Sequence, residues 1–325
     1  MSLILASVAA AGALPVGRAR LLHAAWAEAR EIGARFVLAV DDTGPARVGP
    51  ARVGAPLEDL AWLGVEWDES FLRSEVAGRY EAACVALEAS GRLYPCFEPP
   101  HELQAKAERQ RRQGRAVIYD RAMLRLTAAQ RAAAEAGGKR PYFRFRLSDE
   151  VIGWQDSRAG RCEVALPAMS DPVLRDKDGR VDAALALAAD DAALGVTHVV
   201  SGAEMVAQTA VHLDLLAALG AAGPKVMLHL PAPEEEGGRR LQGQSVRALR
   251  ADGVAPAGLR AWFARLARDT APKARIEDLL AENRRVLAGL DFAEVAHMLP
   301  GVDEARWLAV RGGIDLITEA RPGEG

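Results

Sequence analysis

The sequence predicts an α/β chain built on a parallel sheet. Three observations carry this. Short apolar runs alternate with amphipathic stretches of helical period from the N-terminus onward. Alanine is abundant and only 5% of residues are aromatic, which favours helices packed through small side chains. The 325 residues are half hydrophobic and 26% charged, enough for one large core or two unequal ones.

Each element follows in order. Leu3 to Val8 reads as a buried strand. Arg18 to Gly33 carries Leu21, Leu22, Ala25, Trp26 and Ala29 on one face and stops at glycine, the pattern of an amphipathic helix. "RFVLAV", 35–40, is a second buried strand, closed by the turn signal "DDTG". "PLEDLAWLGVEWDES" gives a short helix and then a loop. Ala77 to Ser90 is a helix and "LYPCF" a strand. Residues 101–135 read as charged and helical, with seven charged side chains in the fifteen of "HELQAKAERQRRQGR". "RPYFRFRL" alternates as a strand does, and 148–182 reads as loop-rich. "ALGVTHVVSGAEM" returns to a strand and a glycine turn. Thr209 to Gly220 is a helix, "KVMLHLPAP" a strand, and the text from Leu249 onward is helical. Ligands of such sheets sit beyond the carboxyl ends of strands, which puts "GALPVGR" and "DDTG" on the ligand-facing edge.

Composition narrows the function. A net charge of −3 carries no global signal for nucleic acid, and leaves room for a local basic patch. Cys84, Cys96 and Cys162 are odd in number and far apart, so neither a disulfide framework nor a zinc spacing follows. No basic n-region precedes the first apolar run and no stretch approaches twenty apolar residues. A cytoplasmic protein with no membrane partner is expected.

The order of segments resembles the catalytic part of bacterial glutamyl-tRNA synthetases, a class I aminoacyl-tRNA synthetase family. The resemblance rests on "RFVLAVDDT", "LAWLGVEWDE", "YPCFEPPHEL", "VIYDRAMLRLT", "RPYFRFRL", "SDPVLRDKDG", "GVTHVVSGAE" and "LRADGVAPAGLRAWFARL", in the family's order from residue 1 to about 315. It implies a Rossmann-type parallel sheet with an inserted α/β domain and a helical C-terminal stem-contact region. The implied boundaries are 1–95 and 183–235 for the two halves of the sheet domain, 96–182 for the insertion, and 236–325 for the signature loop and stem-contact helices. A truncated form without the anticodon-binding domain is expected.

The same resemblance implies where chemistry belongs. In the family a "HIGH"-type turn holds the phosphates of ATP; here Pro15 stands at its first histidine, and Gly17, Ala19 and Arg20 match the continuation. A "KLSKR"-type loop aligns with Arg240 to Gln244, placing Leu241 beside the nucleotide and Gly243 at the essential lysine. Losing such a preorganised cation costs a factor of about 10² or more in rate. In the amino-acid pocket, Leu5 and Ser201 replace arginines, Ala9 a serine, and Ala183 and Leu187 a tyrosine and an asparagine; Asp41 is retained. Glu98 and Met123 stand where some relatives have zinc-binding cysteines, and no metal is expected. Residual, weak nucleotide contacts fall on Gly17, Arg20 and Leu241, with ATP the candidate cofactor.

Each residue has a plainer reading. Gly17 serves equally as a turn glycine, and Asp41 and Asp42 as turn caps. Asp190 and Asp191 read as a solvated turn, and His198 as a core histidine. "RQRRQGR", with Arg109, Arg111 and Arg112, reads as a solvated helix face or, with Arg121, as contacts to RNA phosphate. Three functions follow from this pattern. The first is a synthetase-like protein without glutamate–tRNA ligase activity, binding or regulatory, with weak tRNA binding and an unidentified partner. The second is an adenylating ligase for a different, less anionic acid. The third is a short synthetase of the kind that glutamylates queuosine in tRNA.

Overall fold

The structure is a computed structural model that describes residues 1–44, 49–233, 244–270 and 272–321. Along the chain run β1 (Leu3–Ala9), α1 (Val16–Ile32), β2 (Arg35–Asp41), α2 (Pro50–Trp62), β3 (Glu69–Leu72), α3 (Ala77–Ala89) and β4 (Leu93–Cys96). Next come α4 (Pro100–Arg112), α5 (Ala128–Ala136), β5 (Tyr142–Phe145), β6 (Val151–Asp156), β7 (Gly160–Ala165), β8 (Val173–Arg175), α6 (Ala183–Leu194) and β9 (His198–Gly202). The chain continues through α7 (Val206–Ala218), β10 (Val226–Leu230), α8 (Val246–Asp252), α9 (Pro256–Arg268), α10 (Ile276–Leu287), α11 (Phe292–Val295) and α12 (Glu304–Val310).

The main sheet has seven strands in the order β3-β2-β1-β9-β10-β6-β7, and a smaller one has the order β4-β5-β8. β1 and β2 pair in parallel, from Leu3 opposite Arg35 to Ala9 opposite Asp41. A parallel pair needs a crossover, and α1 supplies it. Its Ala19, Leu22, Ala25 and Ala29 are buried, and small residues on that face let the helix lie close to the sheet. Gly33 ends it at φ 64°, donating its N–H to Ala29 O, a conformation that glycine adopts without strain.

The chain divides into two compact units. One comprises Met1–Leu72, Val199–Glu204 and Leu228–Gly325; the other comprises Arg73–His198 and Met205–Met227. In the first, the core under α1 runs from Ile4, Phe36 and Leu38 to Trp262, Phe263 and Leu279 of the C-terminal helices. There α9 and α10 pack so closely that a Cβ on Gly258 would meet Asn283 Cα at 2.9 Å. In the second, α3, α6 and α7 bury Cys84, Leu87, Leu185, Ala188 and Leu215 against Phe145 and Leu174.

Three expectations from sequence need correction. Residues 148–182 hold more regular structure than a loop-rich segment: β6 and β7 form an antiparallel hairpin with Val151 opposite Ala165, and β10 joins it through Met227 opposite Asp156. One face, with Ile152, Trp154 and Val164, is half-buried on the core, and the exposed face mixes Val151 and Ala165 with Gln155 and Glu163, which blurs the apolar–polar alternation in sequence. "WDES" runs into strand β3. Asp190 and Asp191 are no turn; they lie buried in α6. Among the described residues no helix is long and apolar enough to cross a membrane.

Candidate functional site

The turn after β1 is held by buried contacts. Leu14 donates its N–H to Asp59 Oδ2 at 2.8 Å, with Asp59 only 2% exposed. Pro15 occupies the N-cap of α1 at φ −64°, ψ 140°, and has no side-chain oxygen to accept from the helix amides. Val16 donates its N–H to Gln244 O at 3.0 Å, and Val246 donates back to Leu14 O at 2.8 Å. Pro15 and Ser245 thus form an antiparallel bridge that clips the helix start to the chain leading into α8.

Gly17 and Arg20, the expected nucleotide contacts, line one cavity of about 560 Å³ together with Glu204, Trp262 and Phe263. Leu241 lies outside the described residues, as do Arg240 and Gly243. A Cβ on Gly17 would meet nothing within 4 Å, so the space beside it is open. Arg18 lines the same cavity and donates from Nε to Ser7 O at 3.0 Å. Arg20 is 5% exposed.

The sequence reading missed a residue beside this cavity. His23 is buried between Trp26 and Phe263, with ring centroids 5.5 and 5.8 Å away. Burial, with Arg260 nearby, lowers its pKa to about 4, so it is neutral at pH 7. The available signal was a histidine on the apolar face of an otherwise regular helix.

ATP, the cofactor implied by the resemblance, fits these residues poorly. The first amide of α1 is committed to Gln244, so one of the donors that make a helix N-terminus attract phosphate is spent. Pro15 offers no proton. The Glu204 carboxylate lines the cavity beside Arg18 and Arg20 and offsets part of their attraction for a polyphosphate. The volume admits a ring, and the polar groups do not prepare a place for three phosphates.

The expected amino-acid pocket is distributed over both units. In the first, Leu5 is buried on β1 at 8% exposure, and Ala9 ends the strand, exposed, opposite Asp41. Asp41 Oδ1 accepts from Thr43 N at 3.1 Å and Thr43 Oγ1 at 2.6 Å, the side-chain turn of the plainer reading. Ser201 lies on β9, its hydroxyl buried with no hydrogen-bond partner among the described residues. In the other unit, Ala183 is the exposed first residue of α6 and Leu187 lies one turn on, half-buried. No residue at these positions other than Asp41 carries a charge.

The basic candidates all lie in the second unit. Arg109, Arg111 and Arg112 are exposed on the last turn of α4. Arg112 Nε is 3.1 Å from Glu108 and Arg111 is 3.7 Å from it, so these two are partly neutralised along the helix. Arg121 is half-buried. At φ 53° it sends its guanidinium inward to Asp171 at 3.0 Å, Asp149 at 3.1 Å and Leu147 O at 2.9 Å. It braces this unit, and its fork has little left for RNA.

Glu98, buried, accepts from Tyr119 Oη and from Lys106 Nζ, each at 2.6 Å. Cys96 lies 3.7 Å from the same tyrosine oxygen, and burial pushes its thiol up to about 11. The carboxylate here is satisfied by an ammonium. Met123 packs against the small cluster of Tyr94, Cys96 and Tyr142. Elsewhere in the unit, Asp191 accepts from His212 Nε2 at 2.8 Å; burial raises its pKa despite that bond.

The family described as tRNA synthetases class I (E and Q), catalytic domain, matches residues 9–242. The chain is 44% identical to a protein named glutamate–tRNA ligase 2 of Gluconacetobacter diazotrophicus, over 95% of the chain and 76% of that protein. It is 38% identical to the glutamate–tRNA ligase of Azospirillum brasilense, over 93% of the chain and 68% of the relative. Among solved structures it is similar to the glutamate–tRNA synthetase of Elizabethkingia anophelis, with a TM-score of 0.81 at 18% identity over 98% of this chain and 80% of the other. At that identity the likeness speaks for the fold.

Proposed function

The chain belongs to the class I tRNA synthetase family of the glutamate and glutamine enzymes, and from that premise we propose a glutamyl-tRNA synthetase-like protein that keeps the scaffold and does not activate glutamate. The start of α1 carries the reading. Pro15 has no side-chain donor, the next amide is bound to Gln244, and the carboxylate of Glu204 lines the adjoining cavity. Activation of an amino acid develops negative charge on leaving pyrophosphate and needs donors aimed at it in advance. At the positions given to arginine by the resemblance, buried Leu5 and the Ser201 hydroxyl offer a carboxylate no cation. Each missing charge-assisted bond is worth about 1.5–3 kcal/mol.

In this reading the protein is a binding or regulatory protein, and tRNA is the partner its family implies. Purified protein is expected to give no glutamate-dependent exchange between ATP and pyrophosphate. Exchange at the rate of an intact synthetase would overturn the proposal.

A second reading draws on the cavity of about 560 Å³ beside Gly17. A space of that size lies within the range of small-molecule sites, about 300–1,000 Å³. It would suit an adenylating ligase for a less anionic acid, with Trp262, Phe263 and Leu266 as the apolar wall. The same exchange assay over a panel of amino and carboxylic acids separates the two, since only the ligase gives a signal with any acid.

A further inference from the structure

A second cavity, of about 390 Å³, lies wholly within the other unit and away from every residue assigned above to nucleotide or amino acid. Helix α4 buries no residue completely. Its Leu103, Ala107 and Gln110, spaced i, i+4 and i+7, line this space. Val117, Ile118 and Tyr119 line it too. These walls are fixed. Gln110 Nε2 donates to Ile118 O at 2.7 Å, Tyr119 N donates to Ser170 Oγ at 2.9 Å, and the Arg144 guanidinium stacks 4.2 Å above the Tyr119 ring.

The lining has one dominant sign. Lys106, Arg109, Arg115 and Arg144 line it with one carboxylate, Asp120, and Lys106 is shared between Asp120 at 3.1 Å and buried Glu98 at 2.6 Å, which leaves the arginines to set the sign. Among the described residues, no carboxylate lies within salt-bridge distance of Arg109 or Arg115, in contrast to Arg111 and Arg112 on Glu108. A concave patch of one sign concentrates ions of the other. Two guanidinium forks suit the oxygens of a phosphate, and an aliphatic bed with a stacked Arg–Tyr pair suits a flat ring.

We propose that this cavity binds a free nucleoside monophosphate. The ring lies on Leu103, Ala107, Val117 and Ile118, and the phosphate lies between Arg109 and Arg115. The volume is near the lower end of small-molecule sites, which matches a ligand of that size. The end of an RNA strand carries the same chemistry, so the test separates the two sources.

Calorimetric titration of the full chain uses AMP, GMP, CMP and UMP, their nucleosides, inorganic phosphate, and a short single-stranded RNA. At least one monophosphate is expected to bind one-to-one, and its nucleoside and inorganic phosphate at least about tenfold more weakly, the loss of one good charged contact. The double variant Arg109→Ala/Arg115→Ala, at exposed positions, is expected to weaken binding by at least about tenfold with unfolding temperature unchanged. Ala107→Phe, which fills the bed, is expected to abolish it. The proposal is overturned if no monophosphate binds, if the nucleoside binds as tightly, or if affinity survives the double arginine change. RNA binding more than about tenfold tighter than every monophosphate would also overturn it, assigning the site to a strand end.

Discussion

Arg73 Nε lies 3.2 Å from Asp190 Oδ2, with 2% of one side chain and none of the other exposed. Arg79 reaches the second carboxylate oxygen at 2.6 Å, and Tyr80 donates its hydroxyl to the same group at 3.1 Å. Asp190→Asn keeps the shape and removes the charge that Arg73 and Arg79 share in this buried network. A loss of about 3–5 kcal/mol is expected in denaturant unfolding. A loss below about 1 kcal/mol would show that water reaches the pair.

This network explains part of what sequence conveyed and what it did not. The alternation of β1, α1 and β2 was legible because parallel strands buried on both faces read as apolar runs. Adjacent aspartates in a stretch of alanines read as solvent-facing, since nothing local reveals that Arg73 and Arg79, more than 110 positions away, supply the positive charge. The β6–β7 hairpin was missed for a different reason: its exposed face carries apolar Val151 and Ala165, which blurs the apolar–polar alternation in sequence. In the candidate site, Gly17 and Arg20, which the motif named together, line one cavity. Arg121 was read as a contact to RNA phosphate, and nothing local in the sequence reveals Asp171 and Asp149, its partners 50 and 28 positions away.

His23 makes stability depend on pH. Its folded pKa of about 4 lies below its unfolded value of 6.5, so the unfolded chain takes up the proton first as pH falls. The stability present above pH 6.5 is lost between there and about pH 4, by about 3 kcal/mol from this group. Unfolding free energies measured from pH 7 to pH 4 should fall more for the natural protein than for His23→Gln by that amount. Parallel curves would remove His23 as the cause.

Gly258 permits the close crossing of α9 and α10. A methyl group there would fall 2.2 Å from Asn283 Oδ1 and 2.9 Å from the Asn283 backbone. That amide also accepts from Ala255 N at 2.9 Å and donates to Asp315 O at 2.6 Å, so it has no freedom to retreat. Gly258→Ala is expected to destabilise by about 1–3 kcal/mol, read as a lower unfolding midpoint with unchanged helix content. An unshifted midpoint would mean that the helices slide apart at no cost.

Binding to tRNA is expected to be weak, without preference among tRNAs, and steeply reduced by salt. Arg109 is exposed, Arg111 and Arg112 are partly neutralised by Glu108, and the chain carries a net charge of −3. Changing Arg109, Arg111 and Arg112 together to Glu should abolish it in a filter-binding assay. Retained affinity, or strong preference for one tRNA at physiological salt, would put the RNA surface elsewhere.

The contact between His23 and Trp26 has an optical consequence. An imidazolium quenches indole emission by accepting excited-state electron density, and a neutral imidazole does so far less. The ring centroids are 5.5 Å apart. Protonation at this one buried site therefore dims a tryptophan in the unit that also holds the α1 cavity. The protein carries its own fluorescent indicator there, with no label to attach, and any molecule that enters and alters the field at His23 would register as a change in brightness.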